Sequence, residues 1–176
     1  MSWDEVSDSV CQIGCALGQV GDRWTLLIMR ELAMGVRRFE EIQVQTGMSS
    51  HLLSTRLKRM EEDELIERKL YSTRPPRHEY FPTRKGKELD VVMLEMRAWA
   101  LRWKLSKLGR VPSVALVHKQ TGETVDGDWQ VPSGVPFTFD EVEPTMSDAF
   151  REEREARVAA FQQAKKRVKV PRKKSI

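Results

Sequence analysis

The stretch from Phe39 to Tyr80, FEEIQVQTGMSSHLLSTRLKRMEEDELIERKLYSTRPPRHEY, constrains the chain more than any other. It carries, in order, the signals of a short helix, a turn at Gly47, a second helix, a strand, a Pro-containing basic loop and a returning strand. In the second helix, Ser49 and Ser50 supply N-cap hydroxyls just before an apolar stripe of Leu53, Leu57 and Met60, whose spacing puts all three on one inward face. The opposite face carries His51, Ser54, Thr55 and Lys58, with Ser50 at its N-terminal edge. Small hydrogen-bonding groups, an imidazole and a cation suit a helix lying in a major groove, where each base pair presents a distinct set of donors and acceptors. An ordinary amphipathic surface helix fits the same segment.

The residues after this helix favour nucleic acid. Leu65 to Leu70 is strand-like, Ser72-Thr73-Arg74-Pro75-Pro76-Arg77 cannot be helical, and His78 to Phe81 can return as the partner strand. From Arg68 to Lys87 there are seven Lys or Arg against one acid, Glu79, a concentration that suits phosphates. Arg74 and Arg77 flank a stiff Pro-Pro pair, which lowers the entropy cost of holding them against a DNA backbone or in a minor groove. This order of elements is that of a winged helix-turn-helix. The candidate DNA contacts are Ser49, Ser50, His51, Ser54, Thr55, Arg56 and Lys58 on the helix and Arg74 and Arg77 on the wing.

Ahead of this stretch, Ile13, Cys15, Ala16, Leu17 and Val20 mark a short buried or dimer-contacting helix ended by Gly21. Asp22 can cap a central helix from Arg23 to Ala33, apolar almost all round, and Val36-Arg37-Arg38 can add a short strand beside the wing. The next helix places Phe39, Ile42 and Thr46 on one face, and Met48 enters the core. Beyond the wing, Thr83 caps a long helix predicted from about Arg84 to Lys107. Its stripe of Leu89, Val92, Met93, Met96, Trp99, Ala100 and Trp103 exceeds what one small domain needs, so a second copy of the chain is the expected partner. Ile13, Leu17, Met93, Met96, Trp99 and Trp103 are the candidate dimer contacts, and the N-terminal helix of the same chain is the alternative cover. A symmetric dimer would set two reading helices about 34–36 Å apart on an inverted repeat.

Several motifs stand in register: Cys11, Ala16-Leu17, Gly21-Asp22-Arg23-Trp24-Thr25-Leu26-Leu27-Ile28, Arg37-Arg38-Phe39, Leu53-Ser54-Thr55-Arg56-Leu57 and Pro75-Pro76-Arg77-His78-Glu79-Tyr80. With them the chain resembles, from about Cys11 to Trp103, the HxlR family of bacterial winged-helix transcription regulators, relatives of the MarR group. The resemblance implies a cytoplasmic homodimer that binds operator DNA as repressor or activator, with residues 49–62 as recognition helix and Arg74 to Arg77 as wing tip. It also implies that Cys11 matches an N-terminal cysteine that in some members responds to electrophiles or oxidants, with Cys15 one turn on as a second thiol. Both cysteines can equally be small buried hydrophobes, and no basic residue adjoins Cys11. The chain departs from the family at Glu64, where a small residue or Gly commonly ends the recognition helix.

The remainder reads as an extension. Residues 109–145 are β-rich and irregular, with Val114 to His118 as a strand, turns at Thr121-Gly122 and Asp126-Gly127, and a run from Trp129 to Phe139 broken by Pro132, Gly134 and Pro136. Two roles fit it, covering the dimer helices or forming a ligand pocket. From Ser147 a charged helix carries Phe150, Val158 and Phe161 loosely on one side and leads into a basic tail. The fold expected is therefore α+β and mainly helical, in three parts. Residues 1–108 form a winged helix-turn-helix domain with N-terminal and long C-terminal dimerisation helices, residues 109–146 a β-rich extension, and residues 147–176 a charged helix and tail.

Charge and composition limit the function classes. Residues 165–174 hold seven of the 30 basic residues, leaving 23 against 26 acidic ones in the rest, so binding is confined to the wing and the tail. The tail can add non-specific DNA affinity or remain a solvated end. Two cysteines make no disulfide framework, and a lone His118 is no zinc site. No apolar run approaches the ~20 residues of a membrane span and no signal peptide precedes Trp3, so a cytoplasmic protein is expected. There is no Gly-rich phosphate loop, no paired metal ligands, and no nucleophile arrangement around the three His, which argues against an enzyme, a cofactor or a metal. Double-stranded operator DNA, a second copy and a small-molecule effector are the expected partners. A winged helix used only for protein contacts is the alternative, and the basic wing counts against it.

Overall fold

The computed structural model describes residues 10–132 and 137–169. The basic tail beyond residue 169 and the breaks at Gly134 and Pro136 lie outside the described residues. The first half is built on local signals. Helix α1 (Gln12–Val20) is followed by α2 (Thr25–Ala33), whose first amides are met by Asp22: its carboxylate accepts from Trp24 N at 2.7 Å and Thr25 N at 3.0 Å. Helix α3 (Phe39–Thr46) ends at Gly47, whose φ of 70° is the left-handed conformation a tight turn requires. Helix α4 (Ser50–Glu62) starts where Leu52 N donates to Ser49 Oγ at 3.2 Å. Strands β1 (Ile66–Thr73) and β2 (Pro76–Pro82) pair antiparallel from Ile66 opposite Pro82 to Thr73 opposite Pro76, with an irregularity between Leu70 and Ser72.

These elements close on one core, in which Ile28, Met29 and Leu32 of α2 meet Ile42, Met48, Leu53, Leu57, Met60, Leu65 and Ile66. The predicted inward stripe of α4 is therefore the buried one. Truncating a residue such as Leu53, which is fully buried, would cost on the order of 2–5 kcal/mol. The wing is longer and its tip tighter than the sequence suggests, because both strands continue into the expected loop and leave only Arg74 and Pro75 as the turn. The Val36–Arg38 segment contributes a single bridge, Arg38 to Glu79, with Tyr80 N donating to Arg37 O at 2.9 Å.

The single helix expected from Arg84 to Lys107 is two. Helix α5 (Arg84–Lys87) is capped by Thr83, whose Oγ1 accepts from Gly86 N at 3.1 Å, and α6 (Asp90–Arg102) follows a tightened turn in which Leu89 N bonds to Gly86 O. Gly86 is pressed so close to the end of α4 and the wing that a Cβ there would lie 2.1 Å from Leu65 O. Helix α6 ends early because Lys104 takes a φ of 55° and Leu105 N caps Ala100 O at 3.0 Å, a glycine-type stop made by a lysine.

The extension packs on the far side of α6. Strands β3 (Val114–His118) and β4 (Val142–Met146) pair antiparallel, and Leu116, Val125, Phe137 and Val142 form a second core with Leu94 of α6. Leu94 and Ala98, absent from the predicted stripe, are thus the inward face of α6 here. Helix α7 (Asp148–Lys169) then returns across α2 and α3. Its docking face keeps Phe150 and Phe161 of the side expected but not Val158. Val158 is exposed, and the inward positions are Phe150, Arg154, Arg157 and Phe161, four residues at helical spacing. Arg154 donates to the buried carboxylate of Glu31 at 2.7 and 3.1 Å, and Arg157 to Gln45 O at 2.8 Å. Among the described residues no helix is long and apolar enough to cross a membrane.

Candidate nucleic-acid interface

Helix α4 presents Ser49, Ser50, His51, Ser54, Thr55 and Lys58 to solvent, on the side away from Leu53, Leu57 and Met60. The helical period predicts His51, Ser54, Thr55 and Lys58 there, with Ser50 at the edge, whereas Ser49 is exposed as the N-cap. Arg56 stands apart: it is half-buried on the flank of the helix and pairs with Asp22 at 3.1 Å, with its Nε buried and unbonded. That pair ties the recognition helix to the start of α2, so Arg56 serves position more than contact. Lys58, a cation of the exposed face, lies 3.7 Å from Glu62, a loose and solvated pair.

The joint between helix and wing is made at Glu64, which adopts a φ of 57°, a left-handed conformation that favours glycine. A side chain in that conformation costs roughly 1–2 kcal/mol. It is held by Thr83 Oγ1 donating to Glu64 O at 2.6 Å and by Thr83 N donating to Leu65 O at 3.1 Å. The turn therefore keeps its left-handed geometry despite the glutamate.

Along the hairpin, the cations nearer its base are neutralised, as is Arg38 beside it. Arg68 pairs with Glu61 at 3.1 Å, Lys69 with Glu67 at 2.7 Å, and Arg38 with Glu79 at 3.0 Å. Arg74 and Arg77 differ: both are exposed at the tip and neither is in an ion pair among the described residues. Ser72 Oγ donates to Pro75 O at 3.1 Å, so the tip is braced from inside. Arginines held out on a braced tip, with no carboxylate beside them, leave their donors available to phosphate.

Two contributions to this surface have little sequence signal. Arg38 stands at the start of α3, stacked on Tyr71 of the wing at 4.8 Å, where the first helix of a helix-turn-helix crosses the DNA backbone. Lys165 of α7 pairs with Glu40 of α3, which brings that cation alongside the helix. Only the fold puts residues so far apart in sequence together.

The candidate dimer residues divide. Ile13 is 71% exposed, Trp99 53% and Trp103 68%, and Leu17 and Met96 are also open, so no segment among the described residues covers them. Met93 instead packs against the first core. Cys11 and Cys15 are both exposed at the start of α1. His118 is buried, with Nδ1 3.1 Å from Thr121 Oγ1 and its ring 5.4 Å from that of Trp129. Among the described residues no three His, Cys, Asp or Glu group as a metal site would require.

Comparison with known proteins agrees with this geometry. The HxlR-like helix-turn-helix family model matches residues 19–107. The HTH-type transcriptional regulator Rv3095 of Mycobacterium tuberculosis is 39% identical over 114 residues, 65% of this chain and 71% of its own. The HTH-type transcriptional regulator YodB of Bacillus subtilis is 40% identical over 86 residues, 48% of this chain and 77% of its own. Among solved structures, PA1607, described as a candidate transcription factor, superposes with a TM-score of 0.61 at 25% identity, covering 76% of this chain and 92% of its own. The matched segment runs from the end of α1 through the wing to the end of α6, and the chain belongs to the HxlR family of helix-turn-helix transcriptional regulators.

Proposed function

We propose that two copies of this chain bind one inverted-repeat operator in the cytoplasm, each laying α4 in a major groove and its wing tip on the adjacent backbone. In this reading Ser50, His51, Ser54, Thr55 and Lys58 face base edges, and Arg74 and Arg77 hold phosphates. In the division into residues 1–108, 109–146 and 147–176, the first part reads DNA and dimerises, the described residues of the second cover α6, and α7 acts as a brace. No catalytic step is involved. The observation that carries the reading is the pairing of an exposed α4 face made of hydrogen-bonding side chains with two unneutralised arginines on a braced wing.

The test is selection of bound duplexes from a random pool, followed by titration of the selected site at several salt concentrations. The expected product is a two-fold repeat with half-site centres about 34–36 Å apart. His51→Ala or Thr55→Ala should relax the preference at one position per half-site, by about 1–3 kcal/mol if the base contact is direct. Arg77→Ala should weaken all sequences alike and lower the salt slope by about 0.9 for each phosphate it no longer neutralises. Selected pools without a shared motif would favour a protein-interaction module instead.

Cys11, exposed just ahead of α1 and close to the open dimer candidates Ile13 and Leu17 in sequence, is the proposed point of redox control. Treating the selected complex with a thiol oxidant should change operator affinity in the wild type and leave Cys11→Ser unaffected. An equal response in both would remove Cys11 from the mechanism.

A further inference from the structure

Between α2, α6 and the β3–β4 sheet lies an open cleft of about 740 Å³, within the size range of small-molecule sites. Leu26 and Ala100 line it from the helix-turn-helix half, while Phe139 and Phe150 close it from the extension. One whole wall thus comes from residues outside the 19–107 segment that matches the family model.

The wall chemistry is selective. Four methionines line the cleft: Met34 at the end of α2, Met93 and the more exposed Met96 of α6, and Met146 of β4. Their thioethers are polarizable and pack favourably against ring edges and faces, which suits an aromatic occupant more than an aliphatic one. The charged residues of the lining are Asp22, Arg23, Arg30 and Arg97. Asp22 is already engaged by Arg56 and the amides of Trp24 and Thr25, and Arg30 by Glu31. Arg97 is different: its guanidinium is half-buried and donates to Val125 O at 2.8 Å and Val114 O at 3.0 Å, with no carboxylate in ion-pair range among the described residues. Burial lowers its pKa, and the charge of Asp126, beyond ion-pair range, only partly offsets that loss of water. Arg23, exposed at the rim, is likewise in no ion pair among the described residues.

We propose that this cleft binds an aromatic organic anion, its ring between the methionines and its charge met by Arg97 and Arg23. The site would couple the two halves of the molecule, because its walls belong to α2 beneath the helix-turn-helix and to the sheet from which α7 departs. Binding at the cleft stands or falls independently of whether the chain recognises DNA.

The full chain titrated with 1-anilinonaphthalene-8-sulfonate should show saturable, blue-shifted emission at one site per chain, and the uncharged N-phenyl-1-naphthylamine should bind about tenfold more weakly. Arg97→Gln should remove that preference, bringing the two probes to similar affinity. Ala100→Trp should fill the cleft and abolish both, and Leu26→Glu, which adds a carboxylate to the same wall, should reject the anion while sparing the neutral probe. Trp99→Gln, on the exposed stripe outside the cleft, should change neither. Equal binding of the two probes by the wild type, or retention of both by Ala100→Trp, would overturn the proposal. So would loss of binding in Trp99→Gln, which would place the probe on the exposed stripe. Dissociation of a wild-type dimer by Ala100→Trp with the dye still bound would assign the cleft to a second copy.

Discussion

Asp90 shows how the extension alters a single group. It begins α6, is buried, and accepts Phe139 N at 3.0 Å from the extension. Burial is the main cause that lifts its pKa from 3.8 to about 6; the Phe139 bond and Lys87 oppose the shift, and Asp140 adds to it. The folded state therefore holds a proton that the unfolded state has already released, so stability falls as pH rises from about 4 to about 6 and stays reduced above that. Asp90→Asn keeps an acceptor for Phe139 but cannot ionise. It should stabilise the protein at pH 7.5 by on the order of 2–3 kcal/mol and make no difference near pH 4, read from denaturant midpoints at the two pH values. Equal stability of both proteins at both pH values would show that Asp90 has no such shift. Glu64 and Lys104 make a related point, since each takes a left-handed backbone conformation usually given to glycine. Neither residue type announces that conformation, which is why the stop of α6 is invisible in the sequence and the joint at the wing can be expected only by resemblance.

At the scale of elements, what is legible is what is local. The caps at Ser49 and Thr83, the Gly47 turn and the period of Leu53, Leu57 and Met60 each act within a few residues, and the helix-turn-helix and wing follow from them. Helix α6 is harder to read because it is apolar on two sides: Leu94 and Ala98 face the extension while Val92, Met96 and Trp99 face outward, so no single stripe describes it. Helix α7 reads as a solvated, charged element because its inward residues at 154 and 157 are arginines. Their partners, Glu31 and Gln45, lie over a hundred residues away, a pairing without periodic signature. The Arg154–Glu31 pair should act as the lock of α7. Arg154→Leu leaves Glu31 buried with only Arg30 and should cost about 3 kcal/mol, whereas Glu31→Leu combined with Arg154→Leu should recover most of that loss. The check is a double-mutant cycle on denaturant midpoints, and a single variant as stable as the wild type would mean that α7 is held by its phenylalanines instead.

For the whole molecule, the apolar surface left open is the deciding feature. Ile13 and Leu17 on α1, Val92, Met96 and Trp99 on α6, and Trp103 just after it remain exposed after both cores have formed. Surface of this kind supports the dimer proposed above, since a patch on two helices can pack on its own copy across a two-fold axis. The extension does not cover these residues; it occupies the other side of α6, through Leu94. A dimer built this way would gain operator affinity by turning the second half-site into an intramolecular contact, an advantage of roughly 10²–10⁴ over one half-site. Trp99→Gln combined with Trp103→Gln should therefore convert a sedimenting dimer into a monomer that still binds a single half-site with wild-type affinity. The same variant should lose on the order of 10²–10⁴ in affinity for the complete repeat. Because both tryptophans are already solvent-exposed within one chain, its thermal unfolding should be little changed at concentrations where the wild type is monomeric. A wild type that sediments as a monomer at micromolar concentration, or a double variant that keeps full affinity for the repeat, would remove the two-fold arrangement and leave each wing and helix to read DNA alone.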